Sequence, residues 1–254
     1  MATPRAMPPI ETCTACRGTA AEQNVLWDCL PVPCFGNPER SRVRVATVSL
    51  NPSSFEFVDG AGKPRPKEDR LPMVGDFGTN RAGLPPAALR EARRIRDSYF
   101  ANKPHGWFTP MQMVLREMNP GWSYAEGTAV QIDVVACATN PSYGKITSAA
   151  VRRTLEENCR PFLAHSVGHL TNGTWLIING SGAFEALRQA VTVLPNADYE
   201  ISLKGNPALR IFVGQVQANG KALPYFGWSL YLHREPMRRA GAIVDYWKSL
   251  PARI

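Results

Sequence analysis

The sequence predicts an α/β fold, a three-layer sandwich whose central, mainly parallel sheet is flanked by helices. Three observations point there. Apolar, β-branched runs recur at 43–50, 129–137, 174–179 and 210–216, with a mixed aromatic run at 226–232. Segments with helical spacing separate most of them. Polar, turn-forming residues close several of the runs, as they do where a strand delivers its chain to a ligand crevice. The length of 254 residues and the 44% hydrophobic content suit one domain over 1–254.

Taken in order, residues 1–42 form a cysteine-containing N-terminal segment. The strand at 43–50 ends in "SLNPSS", and 58–86, rich in Gly, Pro and charge, reads as a long surface loop. Helical spacing follows at 86–100 and 109–118. The strand at 129–137 runs into "CATNPS", a helix is expected over 147–168, and the strand at 174–179 runs into "INGSGAF" and a helix over 182–191. The last strand closes in "YLHREP" before a helix over 237–249.

A net charge of +8 and a pI near 9.4 suit a polyanionic partner, with nucleic acid foremost; a basic surface kept for solubility is the plainer reading. No apolar run reaches about 18 residues and the start lacks the apolar stretch of a secretory signal, so a cytoplasmic monomer without membrane attachment is expected. In that reducing setting the six cysteines are metal ligands or buried thiols rather than disulfides.

At Asn51-Pro52 the proline fixes its own φ and biases Asn51 towards extended backbone, so a side-chain amide is held at a strand end, in a geometry that suits positioning a water. Far along the chain, "YLHREPMRR" places His233 after a strand. Together these motifs resemble the uracil-DNA glycosylase superfamily: Ser49-Leu50-Asn51-Pro52 is similar to its Gly-x-(Asp/Asn)-Pro, and His233-Arg234-Glu235-Pro236-Met237 to its His-Pro-Ser-Pro-Leu. The likeness is closest to the iron–sulfur, thermophilic-type branch. "RLPMVGDFG" (70–78), "DVVACATNP" (133–141), "CRPFL" (159–163) and "LIINGSGAFEAL" (176–187) resemble further motifs of that branch or of the superfamily, in the right order over roughly 13–250.

What the resemblance implies is a uracil-DNA glycosylase-like fold and a monofunctional DNA glycosylase. Such an enzyme extrudes a nucleotide, passes through an oxocarbenium-like sugar and leaves an abasic site. Asn51 would position the water, and His233 would donate a hydrogen bond to the departing base. Asp133, Met73, Phe55, Phe57 and Phe77 are the candidate base-binding residues. Met237 takes the place of the family's Leu wedge, and Arg234, Arg238 and Arg239 would contact phosphates. Pro52, Ser53, Ser54, Gly180 and Ser181 would approach the backbone, with the amides at the start of the helix after Gly180 holding a phosphate.

Two departures bear on the substrate. Asp133 stands where the family has a base-reading Asn; an ionised carboxylate accepts hydrogen bonds only, which favours the amino group of cytosine over the O4 of uracil. Met73 replaces a stacking Phe, which implies a roomier pocket. The expected substrate is therefore a bulky modified cytosine, such as glucosylated hydroxymethylcytosine of double-stranded phage DNA, in a defence role. The alternatives are uracil removal, a non-catalytic binder of unusual DNA, or an enzyme acting on free nucleotides.

By the same resemblance Cys13, Cys16, Cys137 and Cys159 would hold a [4Fe–4S] cluster, although 21 residues separate the last two, more than in the family pattern. The spacing of Cys13, Cys16, Cys29 and Cys34 also suits a structural zinc. His165 and His169, four apart on a helix, are a weaker metal pair, and a polar helix end is the plainer reading.

Overall fold

The computed structural model describes residues 9–101, 104, 106, 108–201, 209–232 and 237–250, with backbone alone at 196–201 and 237–239. Seven strands form one sheet in the order β1-β3-β2-β4-β7-β6-β5. These are β1 (Cys34–Phe35), β2 (Val45–Ser49), β3 (Ala129–Asp133), β4 (Trp175–Asn179), β5 (Thr192–Ile201), β6 (Leu209–Ala218) and β7 (Lys221–Trp228). The helices are α1 (Pro86–Asp97), α2 (Phe108–Met118), α3 (Ala149–His169), α4 (Ser181–Ala190) and α5 (Met237–Ser249).

The α/β expectation holds, but the sheet is mixed rather than mainly parallel. β3, β2, β4 and β7 run parallel, whereas β1, β6 and β5 join antiparallel. β6 and β7 form a hairpin through Asn219-Gly220, both at positive φ, a pairing that favours tight two-residue turns. The last strand accordingly spans Lys221–Trp228, not 226–232.

Alternation along the strands divides the core. Ala46, Val48, Val130, Ile132, Leu176 and Ile178 face α3 and α4, while Val45, Ala129, Ile177, Phe226 and Trp228 face α2 and α5. α3 begins at Ser148, whose side chain accepts from the Val151 amide. No helix among the described residues is long and apolar enough to cross a membrane.

The parallel strands set the position of the ligand crevice. From β2 the chain crosses to β3 on one side, and from β4 it crosses to β7 on the other. The connections leaving β2 and β4, which are neighbours, therefore part at their carboxyl ends, and a doubly wound sheet opens its crevice there.

The segment expected as a surface loop is largely exposed up to Glu68 and again at several residues from Gly75 on, but its middle is not. Leu71 to Val74 are buried, and Leu71 donates its amide to the Glu56 carbonyl at 2.9 Å. A bidentate pair fixes this return: Arg70 donates to both oxygens of Asp76, at 2.5 and 2.7 Å, and Asp76 also accepts from the Met73 amide. Burial by itself would raise the Asp76 carboxyl, but the Arg70 bonds and charge and the Met73 amide hold it below the usual range. A carboxyl depressed in the native state contributes stability above its unfolded pKa and loses it as pH falls through the native one. Asp76→Asn is expected to cost about 3 kcal/mol in denaturant unfolding at neutral pH, with the gap from wild type narrowing below about pH 4.

Candidate functional site

On the face towards α2 and α5, the parallel strands end in polar residues. Ser49 pairs with Asp133, Val48 with Ile178, and Asn179 with Trp228, so Asp133, Ser49, Asn179 and Trp228 stand in a row at the carboxyl edge. All four are buried. Inside a packed sheet such groups demand partners.

Asn179 satisfies this fully. Its Oδ1 accepts from Trp228 Nε1 at 3.1 Å and from the Leu232 amide at 2.8 Å, and its Nδ2 donates to the Leu232 carbonyl at 3.2 Å. The side chain thus imitates a strand partner for Leu232, the residue immediately before His233. His233, Arg234 and Pro236 lie outside the described residues, as do the side chains of Met237, Arg238 and Arg239. What the structure does describe is their anchor.

Asn51 stands two residues beyond Ser49 and is half-buried. Its Nδ2 donates to the Pro52 carbonyl at 3.0 Å and to Thr139 Oγ1 at 3.4 Å. The amide oxygen has no partner among the described residues and is free to accept from a water. Ser53 accepts from the Phe55 amide and shapes the following turn, which leaves Phe55 44% exposed beside Asn51.

Asp133 departs from its expected state. Its Oδ1 accepts from Gln131 Nε2 at 2.9 Å, and its Oδ2 is buried without a partner. Burial raises its pKa well above the usual carboxylate range; Gln131 opposes the rise and Glu56 adds to it. Burial of an unpartnered oxygen with no facing cation works against the ionised, acceptor-only form expected from the sequence. The Tyr231 phenol lies against Ser49 and Asp133, and burial and then Asp133 push its pKa up.

Glu56, which the sequence reading passed over, joins this site. It is buried, accepts from Tyr99 Oη through one oxygen and leaves the other without a partner. Burial raises it to about 7, against the Tyr99 hydrogen bond and the Arg65 charge. Only its position, four residues after a Pro at a strand end, marked it beforehand.

Three candidates are placed otherwise than expected. Phe57 is wholly buried in the core with Leu71 and Tyr99 and cannot stack on a base, and Phe77 packs against Leu30, Val74 and Leu84. Met73 is nearly buried in the same cluster as Phe57 and bridges to Cys29. Gly180 has φ 99°, and a Cβ there would meet Tyr231 at 3.4 Å, so the turn requires glycine. The amides of Gly180 and Ser181 are donated to the Trp228 and Ser229 carbonyls, and Ala183 is wholly buried, so the exposed start of α4 offers an anion the Gly182 amide instead.

The cysteines are all free. Cys16, Cys137 and Cys159 are buried in one cluster and Cys13 packs against it. Burial pushes the Cys137 thiol up to about 11 and Cys159 well above the usual range, with Cys13 and Cys16 repelling both. Cys34 has different charged neighbours, Arg96, Asp97, Asp133 and Glu11. Among the described residues no three His, Cys, Asp or Glu side chains are gathered at a single metal point. The His165 and His169 rings are 4.1 Å apart, and His169 Nδ1 meets Glu39 at 3.0 Å.

Comparison with protein-family models, with curated proteins and with solved structures finds no match for this chain.

Two outcomes test this geometry. Asn179→Ala, which orphans three buried partners, is expected to cost about 3 kcal/mol in denaturant unfolding and to speed hydrogen exchange at Leu232. An acid whose pKa is raised in the native state keeps a proton that the unfolded chain releases, so stability falls as pH rises from about 4.5 to 7 for Glu56. Thermal unfolding at pH values across that window should show a steeper decline for wild type than for Glu56→Gln.

Proposed function

We propose that the protein is a monofunctional DNA glycosylase with a uracil-DNA glycosylase-like fold, and that it removes a bulky modified cytosine such as glucosylated hydroxymethylcytosine. One observation carries this reading: Asp133, buried with one oxygen unpartnered and its pKa raised by burial, closes β3, and Asn51, whose amide oxygen is unpartnered among the described residues, follows the end of the adjacent β2. Asp133 supplies the acid and Asn51 the acceptor.

Cytosine departs as a more basic anion than uracil, so its excision needs a proton donor. A carboxylic acid fits that edge: Oδ2–H donates to N3, and Oδ1 accepts from the 4-amino group on its remaining lone pair. As the C1′–N1 bond breaks, its electron pair moves onto the base and the Asp133 proton passes to N3. Water held by the Asn51 oxygen attacks C1′, and the proton it gives up reloads the carboxyl through solvent. His233 would donate to the O2 of the departing base from the segment that Asn179 anchors.

The surroundings suit DNA. The net charge of +8 favours a polyanion, Phe55, four residues after Asn51, is exposed, and the Gly182 amide at the start of α4 suits a phosphate. Arg234, Arg238 and Met237 would extend the contact.

The neutral acid also supports uracil as a second substrate. With the register shifted by one position, Oδ2–H can donate to O4 while Oδ1 accepts from N3–H.

We further propose that Cys13, Cys16, Cys137 and Cys159 hold a [4Fe–4S] cluster. A single zinc needs every sulfur about 2.3 Å from one ion, whereas a cubane keeps each thiolate on its own iron. What supports the reading is that Cys16, Cys137 and Cys159 are free and buried in one cluster, with Cys13 packed against it. When bound, the cluster supplies a structural tie between the N-terminal segment, the end of β3 and α3.

Incubating the protein with phage genomes that differ only in cytosine modification, and with uracil-containing DNA, should release the modified base, identified by mass spectrometry. Release of uracil alone would select the second substrate, and release from none of them would overturn the glycosylase reading. Asp133→Asn keeps the shape but has no acid proton, and should slow single-turnover release of modified cytosine by about 10²–10⁴-fold. With wild type, release should slow as pH rises through the Asp133 titration.

A further inference from the structure

We infer that Arg81 is the built-in counter-cation of an anionic metal–thiolate centre on Cys13, Cys16, Cys137 and Cys159. The inference rests on the four-cysteine reading above and adds to it the group that balances the charge.

Arg81 is 3% exposed and lies in the short turn Arg81–Gly83, which the Asn80 side chain caps by accepting from the Gly83 amide. Its Nη1 donates towards Cys137 Sγ at 3.7 Å and to the Cys13 carbonyl at 3.4 Å. Its Nη2 donates to the carbonyls of Leu26 at 3.0 Å, Trp27 at 3.2 Å and Cys29. The Nε is buried without a partner. No carboxylate pairs with Arg81 among the described residues.

The other arginines withdrawn from solvent are treated differently. Arg70 meets Asp76, and Arg96 meets Glu11 and Asp97. A guanidinium stays charged at every relevant pH, and a buried one is stable only opposite negative charge. Carbonyl dipoles meet that need in part. A second guanidinium, Arg17, shares the Trp27 ring at 4.3 Å with Arg81 at 4.7 Å, which adds to the positive potential rather than relieving it.

The groups that face Arg81 and can become anionic are thiols. Arg81 acts electrostatically on Cys16, Cys29 and Cys137, and Cys13 contributes its carbonyl. Four thiolates around a divalent zinc, or around an oxidised cubane of charge 2+, leave the same excess of two negative charges. One guanidinium against the Cys137 sulfur halves that excess. For a cubane it also favours the reduced form, because reduction adds a further negative charge beside a fixed positive one.

The rival role is mechanical, a fork that ties residues 26–29 to the 79–84 turn. Two substitutions separate the roles: R81K keeps the charge and loses the fork, whereas R81Q, shorter and with two N–H donors, loses both, so a defect that R81Q shows and R81K does not is one of charge.

The experiment uses the full chain, purified without oxygen and reconstituted with iron and sulfide or with zinc. Iron, acid-labile sulfide and zinc are measured per chain, metal loss to a chelator is timed, and the reduction potential is read where iron is held. The expected result is a loaded wild type, R81K within about threefold of it, and R81Q releasing metal about 10–100-fold faster, at a lower potential if the metal is a cluster. R81Q that matches wild type in retention and potential overturns the inference and leaves the four-cysteine centre standing. R81K that releases metal as fast as R81Q, or a folded R81K that takes up none, overturns it in favour of the fork. Should R81Q not fold, the R81K result decides alone. A wild type that takes up neither metal refutes the centre itself, and Arg81 with it.

Discussion

The structure turns on a carboxyl group that folding withdraws from water. Asp133 closes β3 at its pairing with Ser49; Gln131 bonds one carboxyl oxygen, the other has no partner among the described residues, and Tyr231 and Glu56 lie within electrostatic reach. A charge there would be left without a cation, so burial works against ionisation. In the proposed reaction that same burial keeps a proton donor at the end of β3.

The neighbouring groups follow from that constraint. Asn179 occupies the equivalent position on β4 and, being uncharged, meets its hydrogen-bonding needs by clamping Leu232 and Trp228. It thereby fixes the start of the segment that carries His233. Glu56 approaches from the turn that Asn51-Pro52 begins, and the Arg70–Asp76 pair holds the return of that loop against it. Cys13, Cys16, Cys137 and Cys159 belong to the core on the opposite face of the sheet, in the layer with α3 and α4, where a metal centre would brace the strands.

Much of this was legible in the sequence. Unbroken β-branched runs marked β2, β3 and β4, and the polar residues after them marked the crevice edge, because parallel strands buried on both faces leave polarity only at their ends. β5 was not legible: Pro195, Asn196 and Asp198 are poor strand formers, and the strand exists through its antiparallel pairing with β6, a tertiary effect. Pro224 similarly hid the first half of β7, although it sits opposite Gln215 within the ladder. The residue types of the site were readable, their states less so. Asp133 has a charge set by burial, and neither Phe57 at the bottom of the core nor the engaged amides of Gly180 and Ser181 could be foreseen from spacing. Glu56 and Arg81 carry no motif; what singles them out in the folded chain is burial with one polar atom of each, Oε1 and Nε, left without a partner.

The most direct measurement is a carbon-13 NMR titration of the Asp133 carboxyl in the intact protein, assigned by comparison with Asp133→Asn. The account predicts a resonance that remains in the protonated position at neutral pH. A carboxyl that ionises in the ordinary carboxylate range would contradict it, because the crevice would then hold an acceptor and no acid.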